Sequence, residues 1–429
     1  MNLRGIRKLK KVHILKDWSG RSMFKAMLMT ILAGAMILGA AGAIEQPVPA
    51  AAAAAFKDVP ASHWAYQAIN DAVSKGYLKG DGSGKFRPSD PVTRAEFAAI
   101  LARVSTNENA GGAAAFSDLA GHWSEKEVSE AAGKGFFSPA DYANGFKPGT
   151  PLTRVEMAKW MASGLAARDG EYKQALEDTK GTIVPVTEYY KGGLNKAGYP
   201  YVSVMLGTGL MSGYPDDSFG GDKTTTRAEV AVIIQRYETT QTKAPSAFKG
   251  LNELREVGTT GTNHLTVTSY IDPPNEHTLQ SILNKNTSLR NGAGKVKIHH
   301  YIFLGGTSSD QPGSIYGQMF ADKETLFLDD SYLVFIDSSV SPLTDSFKLA
   351  HYSNGMTSFL QGGIRVYGQG PTKFGYKTLP NDGSKFFVKG KETRFWSYSV
   401  VPRYVTHGDS VLRNIVADDG SYGGIILRK

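Results

Sequence analysis

Thr93-Arg94-Ala95-Glu96, Thr153-Arg154-Val155-Glu156 and Thr226-Arg227-Ala228-Glu229 spell one tetrapeptide three times along the chain. Each copy opens an apolar stripe in the same register. Phe97, Ile100, Leu101 and Val104 follow the first; Met157, Trp160, Met161 and Gly164 follow the second; Val230, Ile233, Ile234 and Tyr237 follow the third. Recurrence at fixed offsets marks one supersecondary unit copied twice, so this half of the chain reads as an array of helical repeats. Thr at the N-cap with Glu three residues on predicts a capping box in each copy: Thr93 with Glu96, Thr153 with Glu156, and Thr226 with Glu229.

The capping box leaves Arg unexplained. It occupies the first helical turn, where the macrodipole disfavours a cation, yet it stands there in all three copies. One reading makes it an anion trap, a guanidinium beside free helix N–H groups that grips a carboxylate or phosphate with two parallel hydrogen bonds. The other pairs it with a carboxylate of the neighbouring repeat. The first is the expectation, with Arg94 and Arg154 as the foremost contacts and Arg227 as the third.

The first 55 residues read as a leader. Arg4, Arg7, Lys8, Lys10, Lys11, Lys16, Arg21 and Lys25 form a basic region broken only by Asp17, and a small-residue apolar run follows from Ala26 to Ile44. Its Ala- and Gly-rich composition and the Ala-x-Ala choices up to Ala55 predict an export signal, leaving no membrane span in the mature protein. The whole chain carries 48 basic and 40 acidic residues; residues 1–25 hold eight of the basics and one acid, so the remainder stands at 40 against 39. A near-neutral mature chain excludes nucleic acid as the expected partner. There is no cysteine, which removes thiolate nucleophiles and Cys-ligated zinc and leaves the core to stabilise an exported chain. Together these features fit a Gram-positive cell surface.

Landmarks outside the helices recur as well. Phe56 and Asp58 correspond to Phe116 and Asp118, His63-Trp64 to His122-Trp123, Phe86-Arg87-Pro88 to Phe146-Lys147-Pro148, and Pro91 to Pro151. Each unit is a loop, a helix, a Gly-rich turn and a capped helix, and a single helix pair of this kind cannot bury both apolar stripes by itself. These residues resemble the S-layer homology (SLH) domain, with repeats at 56–105, 116–166 and 176–238. The resemblance implies an all-α pseudo-trimer: three helical repeats around a central bundle, with clefts between them. It also implies non-covalent binding to an anionic, pyruvylated secondary cell-wall polysaccharide attached to peptidoglycan, at the cell wall of a secreted surface protein and with no cofactor. Arg94, Arg154 and Arg227 then grip the sugar carboxylate. Trp64 and Trp123 cover an apolar sugar face or pack between helices. Asp58 and Asp118 accept sugar hydroxyls or cap the first helix of their repeat. His63 and His122 read as loop residues.

Repeat three departs from the pattern. Leu176-Glu177-Asp178 is the candidate for Phe-x-Asp, but Asp178 lies 120 residues after Asp58 while Arg227 lies 133 after Arg94. An insertion is therefore expected, no His-Trp follows, and Gly220-Gly221 replaces the basic residue and proline of the other turns. Asp216, Asp217 and Asp222 match no calcium loop and read as turn formers.

A linker is expected at 239–250, and a β-rich sandwich or barrel over 251–429, with strands at His264–Ile271, Lys295–Leu304, Tyr332–Ile336, Gly363–Tyr367, Lys385–Val388, Thr393–Val401 and Gly424–Leu427. A short helix is expected around His277–Asn284. His299-His300 invites a metal reading, but adjacent strand residues face opposite sides, so none is assigned. No catalytic motif occurs, and no catalytic residue is assigned. A surface hydrolase with its active site in the second half, and a structural S-layer subunit, remain the alternatives to an anchored display protein.

Overall fold

The computed structural model describes residues 56–108, 116–275, 277–322, 325, 327–363, 373–380 and 385–429. The expected leader and the strand expected at Gly363–Tyr367, beyond Gly363, lie outside them.

Unit one contains α1 (Tyr66–Ser74) and α2 (Arg94–Val104), and unit two contains α3 (Glu125–Gly133) and α4 (Arg154–Arg168). Two further helices intervene, α5 (Gly170–Asp178) and α6 (Thr187–Lys191), before α7 (Tyr199–Thr208) and α8 (Arg227–Thr240) complete unit three. The second helix of each unit packs on the first helix of the next: α2 on α3, α4 on α7, and α8 back on α1. Ala-rich and aliphatic faces of α2, α4 and α8 enter one continuous core with Trp160, Phe97, Phe136 and Tyr237. Backbone bonds follow the same circuit. The Arg94 and Ala95 N–H groups donate to Thr150 and Pro148, those of Arg154 and Val155 to Lys223 and Gly221, and those of Arg227 and Ala228 to Asp90 and Pro88.

Tyr199 opens α7 at the same 133-residue offset from Tyr66 as Arg227 has from Arg94, so the insertion lies wholly upstream of α7. Asp178 does not take the place of Asp58. It ends α5 and pairs with Arg255 at 2.9 Å.

The stretch expected as a linker is a 3₁₀ turn (Pro245–Ala247) leading into another helix, α9 (Lys249–Thr260), where β structure was expected. Leu251, Leu254 and Val257 recur every three residues and are buried. Leu251 belongs to the core of the repeats, while Leu254 and Val257 join Ile183, Phe335 and Trp396 in a further core. The backbones of α7 and α9 meet at Gly207, where an added Cβ would lie 2.6 Å from the Leu251 Cα.

Beyond α9, the helix α10 (His264–Val267) stands where a strand was expected and leaves only β1 (Tyr270–Ile271). The expected helix is a 3₁₀ turn at Leu279–Ile282, and Lys385–Phe386 form a turn rather than a strand. The remaining strands are β2 (Asn286–Ser288), β3 (Gly294–Leu304), β4 (Ser331–Pro342), β5 (Thr393–Pro402), β6 (Ser410–Val416) and β7 (Tyr422–Arg428). They form two antiparallel sheets, ordered β1-β7-β6 and β2-β3-β4-β5. Both face a shared core, in which Val296, Val334 and Phe395 of the larger sheet meet Ile415, Ile425 and Leu427 of the smaller.

Candidate functional site: clefts between the helical units

Each tetrapeptide begins its helix as its chemistry predicts. The Thr93, Thr153 and Thr226 side chains accept from the N–H groups of Glu96, Glu156 and Glu229. The reciprocal arm closes in two copies, with Glu96 accepting from Thr93 N and Glu229 from Thr226 N, both at 2.8 Å. In the second copy Glu156 turns away. It accepts from Arg94 Nε at 2.9 Å and from the Tyr142 hydroxyl at 2.7 Å, so the predicted Thr153–Glu156 box is half made.

The helix N-termini are not open anion traps. Their first two N–H groups donate to carbonyls of the next unit and the third to the capping Thr, which uses up the donors an anion needs. The guanidinium groups reach across the same boundary. Arg94 Nη1 donates to the Phe146 carbonyl at 3.1 Å, Arg154 Nε to Phe219 at 2.8 Å and Arg227 Nε to Phe86 at 2.9 Å. Each also lies over an aromatic ring: Arg94 over Tyr142, Arg154 over Tyr214 and Phe219, and Arg227 over Phe86. Arg154 is the most enclosed, 5% exposed, with Nη2 donating to Ser212 at 2.7 Å. Arg94 and Arg227 instead line clefts, so Arg227, placed third from sequence, is better presented than Arg154.

The Phe whose carbonyl receives each Arg sits in a turn held by a carboxylate. Asp58 accepts from the N–H groups of Phe86 and Arg87, both at 2.8 Å; Asp118 accepts from Phe146 at 3.0 Å and Lys147 at 2.7 Å. Neither caps the first helix of its repeat: α1 follows Ala65 and α3 follows Ser124, both without a side-chain cap. In unit three the missing Asp is replaced by Glu188, which accepts from Phe219 at 3.0 Å and Gly220 at 2.7 Å. Its longer side chain spans the displacement created by the insertion. Burial is the largest influence on Asp58 and Asp118 and opposes ionisation, but the paired N–H groups overcome it and hold both carboxyls below the usual range. The residue after Phe is left-handed in every unit, with φ of 58° at Arg87, 53° at Lys147 and 67° at Gly220, which accounts for the glycine in unit three.

Trp64 and Trp123 do not pack between helices. They are 66% and 58% exposed, each against its neighbouring His ring. Trp123 from unit two lines a cleft of about 450 Å³ with Arg227 from unit three and Lys79, Arg87 and Arg103 from unit one. All three units therefore build one cleft, in which the Arg and the Trp come from different repeats. A second cleft, of about 720 Å³, combines Arg94 of unit one, Lys147 and Lys159 of unit two, and Asn195, Ala197 and Tyr201 of unit three. Ala197 holds the 133-residue offset from Trp64, so this cleft lacks the indole of the first and has Tyr201 nearby.

In the β region, the expectation that His299 and His300 face opposite ways fails. The ladder shifts register between Ile298 and His300, and the extra residue turns His299 to the side His300 already faces. His300 Nδ1 lies 2.9 Å from Asp337, and His299 Nε2 lies 2.8 Å from the Ser339 hydroxyl, two residues along β4. Burial pushes the His299 imidazole down to about 4. Among the described residues no group of three potential metal ligands comes together.

Comparison with known proteins places the repeats. Residues 55–98, 115–158 and 195–231 match the S-layer homology domain. An S-layer protein of Bacillus thuringiensis subsp. finitimus is 30% identical over 207 residues, 48% of this chain and 24% of that protein. The S-layer protein sap of Bacillus anthracis is similar to the same degree and over the same shares. A cellulosome-anchoring protein of Acetivibrio thermocellus is 28% identical over 171 residues, 37% of this chain and 35% of that protein. The chain spans about a quarter of the length of the two S-layer proteins it matches. Among the described residues no helix is long and apolar enough to cross a membrane.

Proposed function

We propose that this chain, which carries three S-layer homology domains, is a cell-surface protein held non-covalently on the cell wall, with its β region displayed outward. The three units act as a pseudo-threefold anchor around α2, α4 and α8, and their partner is an anionic secondary cell-wall polysaccharide. The reading rests above all on the cleft in which the exposed Trp123 ring stands beside Arg227, Arg87, Arg103 and Lys79. An exposed indole has a large apolar face to cover a sugar ring, and neighbouring guanidinium and ammonium groups suit a sugar-borne carboxylate such as a pyruvate ketal. The relatives named as S-layer and anchoring proteins agree with a surface role.

The guanidinium groups act here from the cleft walls, not from open helix ends. Arg154 is structural, and recognition falls to the clefts of Arg227 and Arg94. The process is binding without bond cleavage. Purified full chain should pellet with polymer-bearing cell-wall sacculi and stay in solution with sacculi stripped of polymer. Equal pelleting with both rejects the anchor.

A further inference from the structure

We infer that the chain has a second ligand site outside the repeats, a cleft on the larger sheet that takes a short acidic oligosaccharide. The cleft, of about 820 Å³, lies over β5 and is walled by Tyr190 from the insertion in unit three. Tyr190 accepts a hydrogen bond from Trp396 Nε1 at 3.1 Å, which fixes that wall to the sheet. The insertion, foreign to the repeat pattern, thus has a structural use of its own.

The charge of the cleft is unbalanced. Its two carboxylates are already taken: Asp337, 1% exposed, holds Arg394 through Nε at 2.8 Å and Nη2 at 2.5 Å, and Glu392 pairs with Lys297 at 3.1 Å. Lys377, Lys385 and Lys391 also line the cleft, are exposed, and have no carboxylate within ion-pair distance among the described residues. The aliphatic stem of Lys191 lies beside the lining residue Gly375. Arg394 is anchored by a buried acid and still presents an exposed head, a cation positioned before any ligand arrives.

Tyr376 and Phe386 give the same cleft aromatic surface. Ammonium groups around a partly aromatic concavity suit a ring-shaped polar ligand with repeated negative charge. The volume falls within the roughly 300–1,000 Å³ of pockets that enclose small ligands. A long nucleic acid is disfavoured, since the chain beyond residue 25 balances 40 basic against 39 acidic residues and lacks the broad positive field such a partner needs. Lysine serves as a point charge for carboxylate and phosphate alike, so the shared ligand chemistry is an anionic oligosaccharide bearing either group.

The test uses the full chain and calorimetric titration at low salt. Trigalacturonate is the carboxylate probe, a phosphorylated maltotriose the phosphate probe, and methyl-esterified trigalacturonate the neutral control. At least one acidic probe should bind, and the neutral control should bind far more weakly. The triple variant K377Q/K385Q/K391Q should bind about tenfold more weakly, as expected from three modest exposed charge contacts. Its thermal unfolding should be unchanged, because all three side chains are exposed. Trp123→Ala removes the indole of the anchor cleft, so the triple substitution is also made in that background, where it should weaken binding by the same factor. The site is refuted by equal binding with and without the lysine substitutions, by equal binding of the neutral control, or by no binding of either acidic probe. Tighter binding of duplex DNA than of both acidic probes also overturns it.

Discussion

Arg227 Nε donates to the Phe86 carbonyl at 2.9 Å, tying the last helix of the array to its first turn across 141 residues of sequence. With Arg94 on Phe146 and Arg154 on Phe219, the three guanidinium groups stitch unit to unit in a closed circuit. Arg154 is the most buried stitch, and Arg154→Met strands the carbonyls of Phe219 and Ser212 without donors. A loss of about 2–4 kcal/mol in urea unfolding is expected, since each unsatisfied buried group costs roughly 1–3 kcal/mol. Arg94→Met should cost less, because Glu156 keeps the Tyr142 hydroxyl and faces a cleft. Equal, small losses at both positions contradict the structural role given to Arg154.

The indoles predict the opposite separation. Trp123 is more than half exposed, so Trp123→Ala should change stability by no more than about 0.5 kcal/mol, as surface substitutions do. Sacculus pelleting by the same variant should fall severalfold. If pelleting is untouched while the protein stays folded, the Trp123 cleft is not where the polymer binds.

The turn after Phe219 is a third handle. Gly220 has φ of 67°, and an added Cβ would lie 2.5 Å from Tyr214 Cε2, so Gly220→Ala meets both backbone strain and a clash. We expect a cost of about 1–3 kcal/mol in thermal unfolding. Arg87→Gly, at the matching position of unit one, relieves left-handed strain and should change stability by less than about 1 kcal/mol. A milder effect at Gly220 than at Arg87 would refute this account of the glycine.

Acidification should weaken the β region through His299. Burial holds its folded value at about 4, against an ordinary value near 6.5, so between these limits the unfolded chain binds a proton that the folded chain does not. Stability is therefore flat above about pH 6.5 and falls as the pH drops towards 4. In His299→Gln the loss between pH 7 and pH 5, followed by denaturant unfolding, should be smaller than in the wild type. An identical pH dependence removes His299 from the explanation.

The repeats were legible because their signals are local. A Thr, an Arg and a Glu at fixed spacing specify a helix start, and the same start appears three times. What the Arg side chains do was less legible, since most of their acceptors are backbone carbonyls 52 to 148 residues away, which carry no side-chain identity to read. Glu188 was missed for a related reason: a longer side chain reaching from a displaced backbone satisfies the same two N–H groups as Asp58 without matching its position. His299 was misread because strand alternation assumes a regular ladder, and one extra residue in β3 breaks it. The helix α9 escaped attention because three buried positions among polar neighbours are a short signal, although their spacing is helical. Strand β6 is mostly exposed and has little apolar alternation to betray it.

Because the described clefts draw their guanidinium, their helix wall and their ring position from three different copies, divergence in one copy is shared out around the array. The copy that has Ala197 in place of the indole still lends Arg227 to a cleft whose ring is Trp123, and its deficit appears elsewhere, beside Arg94. Duplicated units assembled this way cannot specialise one at a time: a change in one copy leaves a partial mark on several clefts and a complete mark on none.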